Sequence, residues 1–406
     1  MKITLFGAIW IVLIIMCVCR KKLDNIISVL FFSSVFQCNN VIVWGENGGV
    51  GPFAVTSLFF IINYFLLVVK KGDRTNKSKE KMNFGIILIA ISIIISIVFN
   101  IRSIKDSIIM KLLPIVTYFV CFGILKKIGS YVDFKVDKVL IRMTDFVLVV
   151  GVLQFLISMS VIPKNYLVET FLYNDRTNTN IAYYATSKVR LFSTFMEPSF
   201  CAGFLLAMLI YCMQNIKEQK NVLIRCFIIV LELVLTFSTT AYVGLFLCLV
   251  IFLLTSEHKR IVFRCIPIFL VVILVLLFSG ALNEVVFNKA TTDSAGTREI
   301  WNRLAIKSFE SSPVYGVGYK RIRASSLFYS IMGQLGVIGL IAYIIFLIEF
   351  IRKIFYNKIK NKSVIYMILA VSICQIISIP DLDFCVFWLI LYIYAITLKC
   401  EKSITV

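Results

Sequence analysis

Residues 326–350 read SLFYSIMGQLGVIGLIAYIIFLIEF, a nearly continuous apolar run of the length that crosses a lipid bilayer. Gly333, Gly336 and Gly339 recur at every third position in it, a spacing that allows close packing against a neighbouring segment. Comparable apolar runs follow one another along the whole chain, which is 60% hydrophobic and has a mean hydropathy of +0.92. This composition is typical of helical membrane proteins and predicts one here, rather than a soluble protein.

The apolar runs predict an all-α polytopic integral membrane protein with roughly 12 to 13 transmembrane helices. No separable soluble domain is visible, so residues 1–406 are expected to form a single transmembrane domain. A tight turn is predicted over Ser238 to Ala241. The predicted spans are residues 3–19, 26–45, 52–69, 84–99, 107–125, 144–162, 199–213, 222–238, 240–255, 263–280, 326–350, 364–380 and 383–398.

The net charge of +20 comes from 42 Lys and Arg residues against 22 Asp and Glu residues. Most of these cations lie in short loops between apolar runs, which is the positive-inside pattern of a membrane protein, so we expect no nucleic-acid partner. If the spans alternate, the basic loops fall on one side, which should be cytoplasmic. They are residues 20–22, 70–81, 126–142, 217–225, 258–264 and 352–362.

The cysteines and the single histidine give no sign of a metal site or of a cofactor. Most of the twelve cysteines lie in or beside apolar runs, and none forms a C-x-x-C pair, so they read as small buried hydrophobic residues. His258 falls in a predicted cytoplasmic loop between Glu257 and Lys259. We therefore expect no metal ligands, no cofactor and no histidine chemistry on the outer face.

Two long polar segments, residues 163–198 and 280–326, are predicted to be outer loops, and both carry Lys and Arg. Outward cations run against the positive-inside rule. An anionic ligand outside the membrane is the simplest explanation. The alternative is that long loops tolerate any charge and that these cations only form solvated faces.

The first loop ends in R-L-F-S-T-F-M-E-P-S, residues 190–199, directly before a predicted span. Pro198 suits the first position of a helix, so the free N–H groups of that helix should face outward and could seat a phosphate. Arg190 could hold the same phosphate with a bidentate fork. Glu197 could act as a base toward a sugar hydroxyl, or could cap the helix and pair with Arg190.

In the second loop, Arg298, Trp301 and Asn302 are spaced to share one face of a short amphipathic helix. Ile300 and Leu304 could pack that helix against the membrane surface. Trp301 could equally be an interfacial anchor, as aromatic residues at that depth often are.

The second loop then turns through P-V-Y-G-V-G, residues 313–318, into a basic run. Gly316 and Gly318 permit a tight turn or a close approach of the backbone to a ligand. We predict that this stretch binds substrate, together with a neighbouring arginine. The predicted substrate-binding residues are Arg303, Gly316, Gly318, Lys320, Arg321 and Arg323.

Three carboxylates also stand out. Glu232 lies inside a predicted span, where it should face protein or water, and could mark a proton path or be a neutral or paired structural residue. Asp381 and Asp383 form an outward D-x-D, which could hold a metal between phosphates or could simply shape a short turn.

These motifs resemble a known enzyme family. The segments R-x-F-S-T-F-x-E-P-S from Arg190, T-R-x-x-W from Thr297, P-V-Y-G-V-G from Pro313 and Q-L-G-V-I-G from Gln334 resemble the Wzy-type O-antigen and capsular polysaccharide polymerases of the O-antigen polymerase/ligase superfamily, over about residues 140–350. The resemblance implies a GT-C-type glycosyltransferase in the bacterial cytoplasmic (inner) membrane, with its active site facing the periplasm or cell exterior. It implies transfer of undecaprenyl-pyrophosphate-linked glycan onto the next lipid-linked repeat unit.

By that resemblance, Arg190 and Arg298 match arginines that engage pyrophosphate, and with Glu197 they form the predicted catalytic set. The R-x10-G spacing of some polymerases is not met, since Arg190 is followed by Gly203 and Arg303 by Gly316.

The expected partners are the lipid-linked oligosaccharide and the bilayer, and a chain-length regulator and a flippase could join them. A ligase of the same superfamily is one alternative function, but related ligases carry a histidine where this chain reads R-A-S-S, residues 323–326. A lipid-linked oligosaccharide flippase or other transporter is the other, but charges inside the predicted spans are few.

Overall fold

The structure is a computed structural model that describes residues 2–20, 22–44, 48–71, 83–101, 106–128, 134–161, 190–215, 221–255, 293–355 and 362–400. Helices dominate these ranges. They are α1 (Leu5–Cys19), α2 (Leu23–Ser33), α3 (Pro52–Lys71), α4 (Phe84–Phe99), α5 (Asp106–Ile128), α6 (Val136–Ser158), α7 (Pro198–Gln214), α8 (Val222–Leu235), α9 (Thr239–Thr255), α10 (Asp293–Ser311), α11 (Leu327–Phe355), α12 (Ser363–Ser378) and α13 (Cys385–Cys400).

The apolar runs coincide with helices nearly everywhere in the described ranges, and a predominantly helical fold is confirmed. The turn expected near Ser238 is also present, because α8 ends at Leu235 and α9 begins at Thr239. The predicted span 263–280 and most of the first outer loop lie outside the described residues.

The continuous span predicted over residues 26–45 is wrong. Helix α2 ends at Ser33, and the N–H groups of Gln37 and Cys38 donate to the carbonyl of Thr194 at 3.0 and 3.2 Å. The polar run Q-C-N-N at residues 37–40 breaks the apolar pattern here. The chain then enters a small antiparallel sheet of order β1 (Lys2–Ile3), β2 (Ile42–Trp44) and β3 (Gly48–Val50), which the sequence did not predict.

Two helices in the described residues are long and apolar enough to cross a membrane, Val136–Ser158 and the stretch Leu327–Ile354 of α11. Shorter apolar stretches of 10 to 17 residues accompany them, among them Leu5–Cys19, Pro52–Leu67 and Pro198–Gln214. Membrane association therefore has support from length and composition, while the number of spans remains a prediction.

Helix α7 is buried along nearly its whole length. Every residue from Pro198 to Met213 is buried, and α7 packs against α8, α9 and α12. Because Pro198 opens this helix, the residue before it, Glu197, is fixed at the end of a rigid central element. A rigid helix holds a side chain more reliably than a loop does.

Two polar clusters lie at opposite ends of α4. At its first turn, Gly85 N–H donates to Glu349 Oε2 at 3.0 Å. Lys353 Nζ donates to Glu349 Oε1 at 3.0 Å and to the Tyr394 hydroxyl at 2.6 Å, so this cluster joins the beginning of α4 to the ends of α11 and α13. Just past its other end, Asn100 Nδ2 donates to the carbonyl of Gly316 at 3.1 Å. Helix α4 therefore runs antiparallel to α11 and spans the distance between the two clusters.

Candidate functional site

The end of the first loop is held in place by α6. The side-chain oxygen of Gln154 accepts the N–H groups of Phe192 and Ser193 at 3.0 and 2.8 Å. The side chain of Arg190 is partly buried, and its Nε donates at 3.2 Å to the carbonyl of Thr236, just past the end of α8. The predicted catalytic arginine is thus anchored at the carbonyl end of a helix, where a cation is favoured.

Glu197 faces the second loop. Pro198 is the first residue of α7, as predicted, but the Glu197 carboxylate does not accept a hydrogen bond from the N–H groups of that helix. Its Oε1 pairs with Nη2 of Arg323 at 3.1 Å, and its Oε2 accepts from the Ser199 hydroxyl at 3.3 Å. Within the described residues, the expected side-chain cap is therefore wrong, and the ion-pair partner is Arg323 rather than Arg190.

The helix expected in the second loop is present as α10. Asn302 Oδ1 accepts from the N–H and the hydroxyl of Ser325 at 3.2 and 2.7 Å, and Ala305 is buried against Gly333 of α11. Arg298 lies one and two turns before these residues, on the same packed face, and is partly buried. Among the described residues it has no hydrogen-bond or ion-pair partner, so its guanidinium is available to a ligand.

Arg303 behaves differently from Arg298. Its side chain is 72% exposed and forms an ion pair with Glu299, one turn earlier on the outward side of α10. Trp301 is partly buried, and the guanidinium carbon of Arg323 lies 4.9 Å from the centre of its ring. The structure therefore brings Trp301, Arg323 and Glu197 together, and it directs Arg303 elsewhere.

Both glycines of the G-x-G turn have positive φ angles, +68° at Gly316 and +118° at Gly318. A Cβ at Gly316 would lie 2.3 Å from the carbonyl of Gln334 in α11, so the tight turn is present, while a close approach to a ligand stays a prediction. The N–H of Gly316 donates to the carbonyl of Ser312, and that of Gly318 to Gln334. The glycines shape the turn, and direct contact with substrate stays a prediction.

The turn at residues 313–318 packs against a break in α11. Gly336 has φ +65° and ψ −158°, which interrupts the helix and frees N–H groups inside an apolar bundle. The N–H of Val337 donates to Pro313 at 2.8 Å, and that of Ile338 to Val314 at 3.2 Å. Irregular backbone among apolar helices needs such partners, so the turn and the break stabilise each other.

Lys320 is held by the D-x-D motif. Its Nζ lies 2.9 Å from Asp381 Oδ1 and 2.6 Å from Asp383 Oδ1, so the D-x-D motif holds an ammonium group between its carboxylates. Burial disfavours the charged lysine, but the two carboxylates outweigh it and raise the pKa of Lys320 well above its ordinary value. In the structure Lys320 pairs with the D-x-D motif, and the substrate-binding role of Lys320 stays a prediction.

The two carboxylates of the cluster differ. Burial acts against ionised Asp381, but the attraction of Lys320 prevails and lowers its pKa. Burial raises the pKa of Asp383, and repulsion from Asp381 adds to the rise against the pull of Lys320. One lysine cannot fully compensate two neighbouring carboxylates, so one of them keeps its charge easily and the other does not.

The three cations of the basic run therefore have separate environments. Lys320 is bound inward, exposed Arg321 donates through Nη1 to the carbonyl of Val317 in its own turn at 3.0 Å, and Arg323 reaches Glu197. Sequence reasoning missed Gln334, which orders this run. Its Oε1 accepts the N–H of Lys320 at 2.9 Å and its Nε2 donates to Ile322 at 2.8 Å. A glutamine inside an apolar run was the available signal.

Glu232 lies away from these contacts, inside the bundle. Its side chain is 1% exposed and packs against Gly151, where a Cβ would lie 2.5 Å from Oε1. In the described part of the chain neither of its carboxylate oxygens has a hydrogen-bond partner. It faces protein, as a carboxylate within a span was expected to do.

The site thus combines a carboxylate at the start of the central helix, an exposed guanidinium beside it and an aromatic ring under that guanidinium, with Arg298 on the adjacent helix. Such a set can bind an anion and can accept a proton from a hydroxyl group. The chain matches no known protein family model, no curated protein and no solved structure.

Proposed function

We propose that this chain is a polytopic enzyme of the bacterial cytoplasmic membrane that polymerises lipid-linked oligosaccharide repeat units on the outer face. The observation that carries the proposal is the Glu197–Arg323 ion pair, which joins the two segments that the sequence assigned to one outer site. The two residues are 126 positions apart in the chain. In a reaction whose leaving group is a diphosphate, arginines can stabilise the departing charge and a carboxylate can accept a proton, and the two segments supply both.

The outward faces of the helices support a membrane location. On α1, exposed fractions are 72% for Leu5, 50% for Ile9, 55% for Val12 and 54% for Met16, which gives a continuous apolar stripe. Such a stripe is costly in water and favourable in lipid. The polar cluster around Lys353 also contains only helix ends that the charge pattern assigns to the cytoplasm, which supports the proposed orientation.

The chemistry follows from the groups present. The donor glycan is joined through its anomeric carbon to a lipid diphosphate. A hydroxyl oxygen of the acceptor forms a bond to that carbon as the carbon–oxygen bond to the phosphate breaks, and the electron pair leaves with the diphosphate. Arg298 and Arg323 stabilise the departing charge, and Glu197 accepts the proton of the hydroxyl. No sugar nucleotide is needed.

A transporter would need a polar corridor between the two sides. Within the described ranges, Glu232 is the only buried side chain of the Asp, Glu, Lys and Arg type. Arg298, Arg321 and Arg323 all lie in the second outer segment. This distribution favours chemistry at one face over passage through the bundle.

The proposal is tested by deleting the protein in its host. Cells should still place a single repeat unit on the final acceptor but should make no long-chain ladder, as seen on a gel. No glycan on the acceptor would point to a ligase or a flippase, and an unchanged ladder would refute the proposal. Reporter fusions test the orientation: those after Asn100 and Pro313 should report the outer side, and those after Ile128 and Phe355 the cytoplasm.

A further inference from the structure

Arg323 contacts both Glu197 and Trp301. Its Nη2 contacts Glu197 at 3.1 Å and its guanidinium covers one face of Trp301 at 4.9 Å. The side chains of Arg323 and Glu197 are 57% and 37% exposed, respectively. Ion pairs this accessible to water are weak and exchange readily.

The neighbouring Lys320 cluster provides a contrast on the same basic run. Lys320 is 22% exposed, and its partners Asp381 and Asp383 are 35% and 16% exposed. A largely buried cation that is shared by two carboxylates is not easily displaced by an anion. Arg323 forms an ion pair with Glu197 alone among the described residues and is 57% exposed, although Asp381 also attracts it from a longer distance. Of these two cations it is therefore the one that an anion can capture.

We infer that Arg323 exchanges partners during the reaction: it neutralises Glu197 in the empty site and moves to a diphosphate oxygen when the lipid-linked donor binds. This inference rests on the proposed function, and it gives Arg323 a second role there, the control of access to Glu197. A diphosphate offers several oxygens to the guanidinium fork and carries more charge than one carboxylate, so it should win the competition.

The exchange has a chemical consequence. While Arg323 holds it, Oε1 of Glu197 is occupied by the guanidinium and cannot receive a hydroxyl group. Once Arg323 has moved, that oxygen is free, and Glu197 can accept the proton of the acceptor hydroxyl as the new glycosidic bond forms. The base is thus activated only when the leaving group is in place.

The movement also uncovers the ring of Trp301. An aromatic face freed beside a carboxylate is a suitable platform for a sugar ring, whose C–H groups pack on it. The same step that releases Glu197 therefore opens a stacking surface for the sugar next to the diphosphate.

The test uses the purified full chain in detergent, with inorganic pyrophosphate as the probe and Trp301 fluorescence as the signal. The chain has four tryptophans, so the difference from Trp301→Phe isolates the relevant one. Pyrophosphate should change this signal in a saturable way, and the change should be absent in Arg323→Gln. Glu197→Gln, which removes the competing charge, should bind pyrophosphate about two- to fivefold more tightly, the range expected for an exposed ion pair. Lys307→Gln, an exposed cation on α10, serves as the matched control and should titrate like the parent.

Two results would overturn the inference. One is Glu197→Gln binding pyrophosphate no more tightly than the parent, because then no competition exists. The other is sodium chloride at equal ionic strength giving the same fluorescence change, because then screening alone separates the pair. If Glu197→Gln does not fold, Glu197→Asp shortens the reach of the carboxylate and allows the same comparison. Failure of the proposed function would instead show in the glycan ladder, which this titration does not use.

Discussion

Replacing Lys320 by methionine should strongly destabilise the protein. Methionine has a side chain of nearly the same length as lysine but carries no charge. The variant keeps Asp381 and Asp383 side by side and removes the cation between them. Breaking a fully buried ion pair in this way costs about 3–5 kcal/mol. Because the three side chains are 16–35% exposed, some of the penalty is relieved by water, and we expect about 2–3 kcal/mol.

The two carboxylates should respond unequally to neutralisation. Asp381 has a lowered pKa, so its ionised form is favoured by folding, and Asp381→Asn should be costly at neutral pH. Asp383 has a raised pKa, so folding favours its protonated form and Asp383→Asn should cost little or even stabilise. The folded parent binds that proton more tightly than the unfolded chain, so the parent gains stability as the pH falls below the raised pKa. Any advantage of Asp383→Asn should therefore shrink on acidification.

These changes can be measured by thermal unfolding of the purified protein in detergent, followed with a thiol-reactive dye that reports exposure of buried cysteines such as Cys201 and Cys374. Lys307→Met is the matched control, because that lysine is exposed on α10. Lys320→Met should melt well below it, and adding Asp383→Asn should recover part of the loss. The reasoning is refuted if Lys320→Met and Lys307→Met melt at the same temperature.

Arg298→Lys should lower the polymerisation rate almost as much as Arg298→Ala, by about 30- to 1,000-fold. A lysine is a point charge and cannot replace two parallel hydrogen bonds to a diphosphate, which are worth about 2–4 kcal/mol. Lys307→Ala, at equal membrane levels, should retain most chain growth. A ladder of parental length from Arg298→Lys would show that Arg298 is only a surface charge. Gly316→Ala should abolish folding or activity, because its Cβ would strike the Gln334 backbone at 2.3 Å, whereas Gly296→Ala meets nothing within 4 Å and should be neutral in the same assay.

The helices could be predicted because the apolar runs are long and separated by polar residues, and most boundaries agree to within a few residues. The exception at residues 26–45 shows the limit of that signal. Hydropathy averaged over the run conceals the Q-C-N-N stretch, and it carries no information that Thr194, more than 150 residues away, accepts two of its N–H groups. The helix ends where the polar run begins, and a long-range contact takes up its N–H groups.

The sequence identified the two segments that form the candidate site, but it did not show which of their side chains contact each other. Charge asymmetry placed the two loops on one side, and the structure indeed joins them through Glu197 and Arg323. Neither the pairing of Glu197 with Arg323 nor the capture of Lys320 by Asp381 follows from spacing, because the partners are 126 and 61 residues apart. Such contacts depend on how α7, α11 and α12 pack.

The basic run shows why a count of cations misjudges a binding site. Lys320 has φ +60°, and its N–H is held by Gln334, so its side chain turns inward to the D-x-D while Arg323, three residues later, faces outward. The backbone reversal that separates them depends on the neighbouring Gly318 and on the break in α11. Charge alone made these residues equivalent in the sequence. Their directions are set by one turn packed on one broken helix, and among the three cations of the basic run they leave Arg323 as the one facing Glu197 and Trp301.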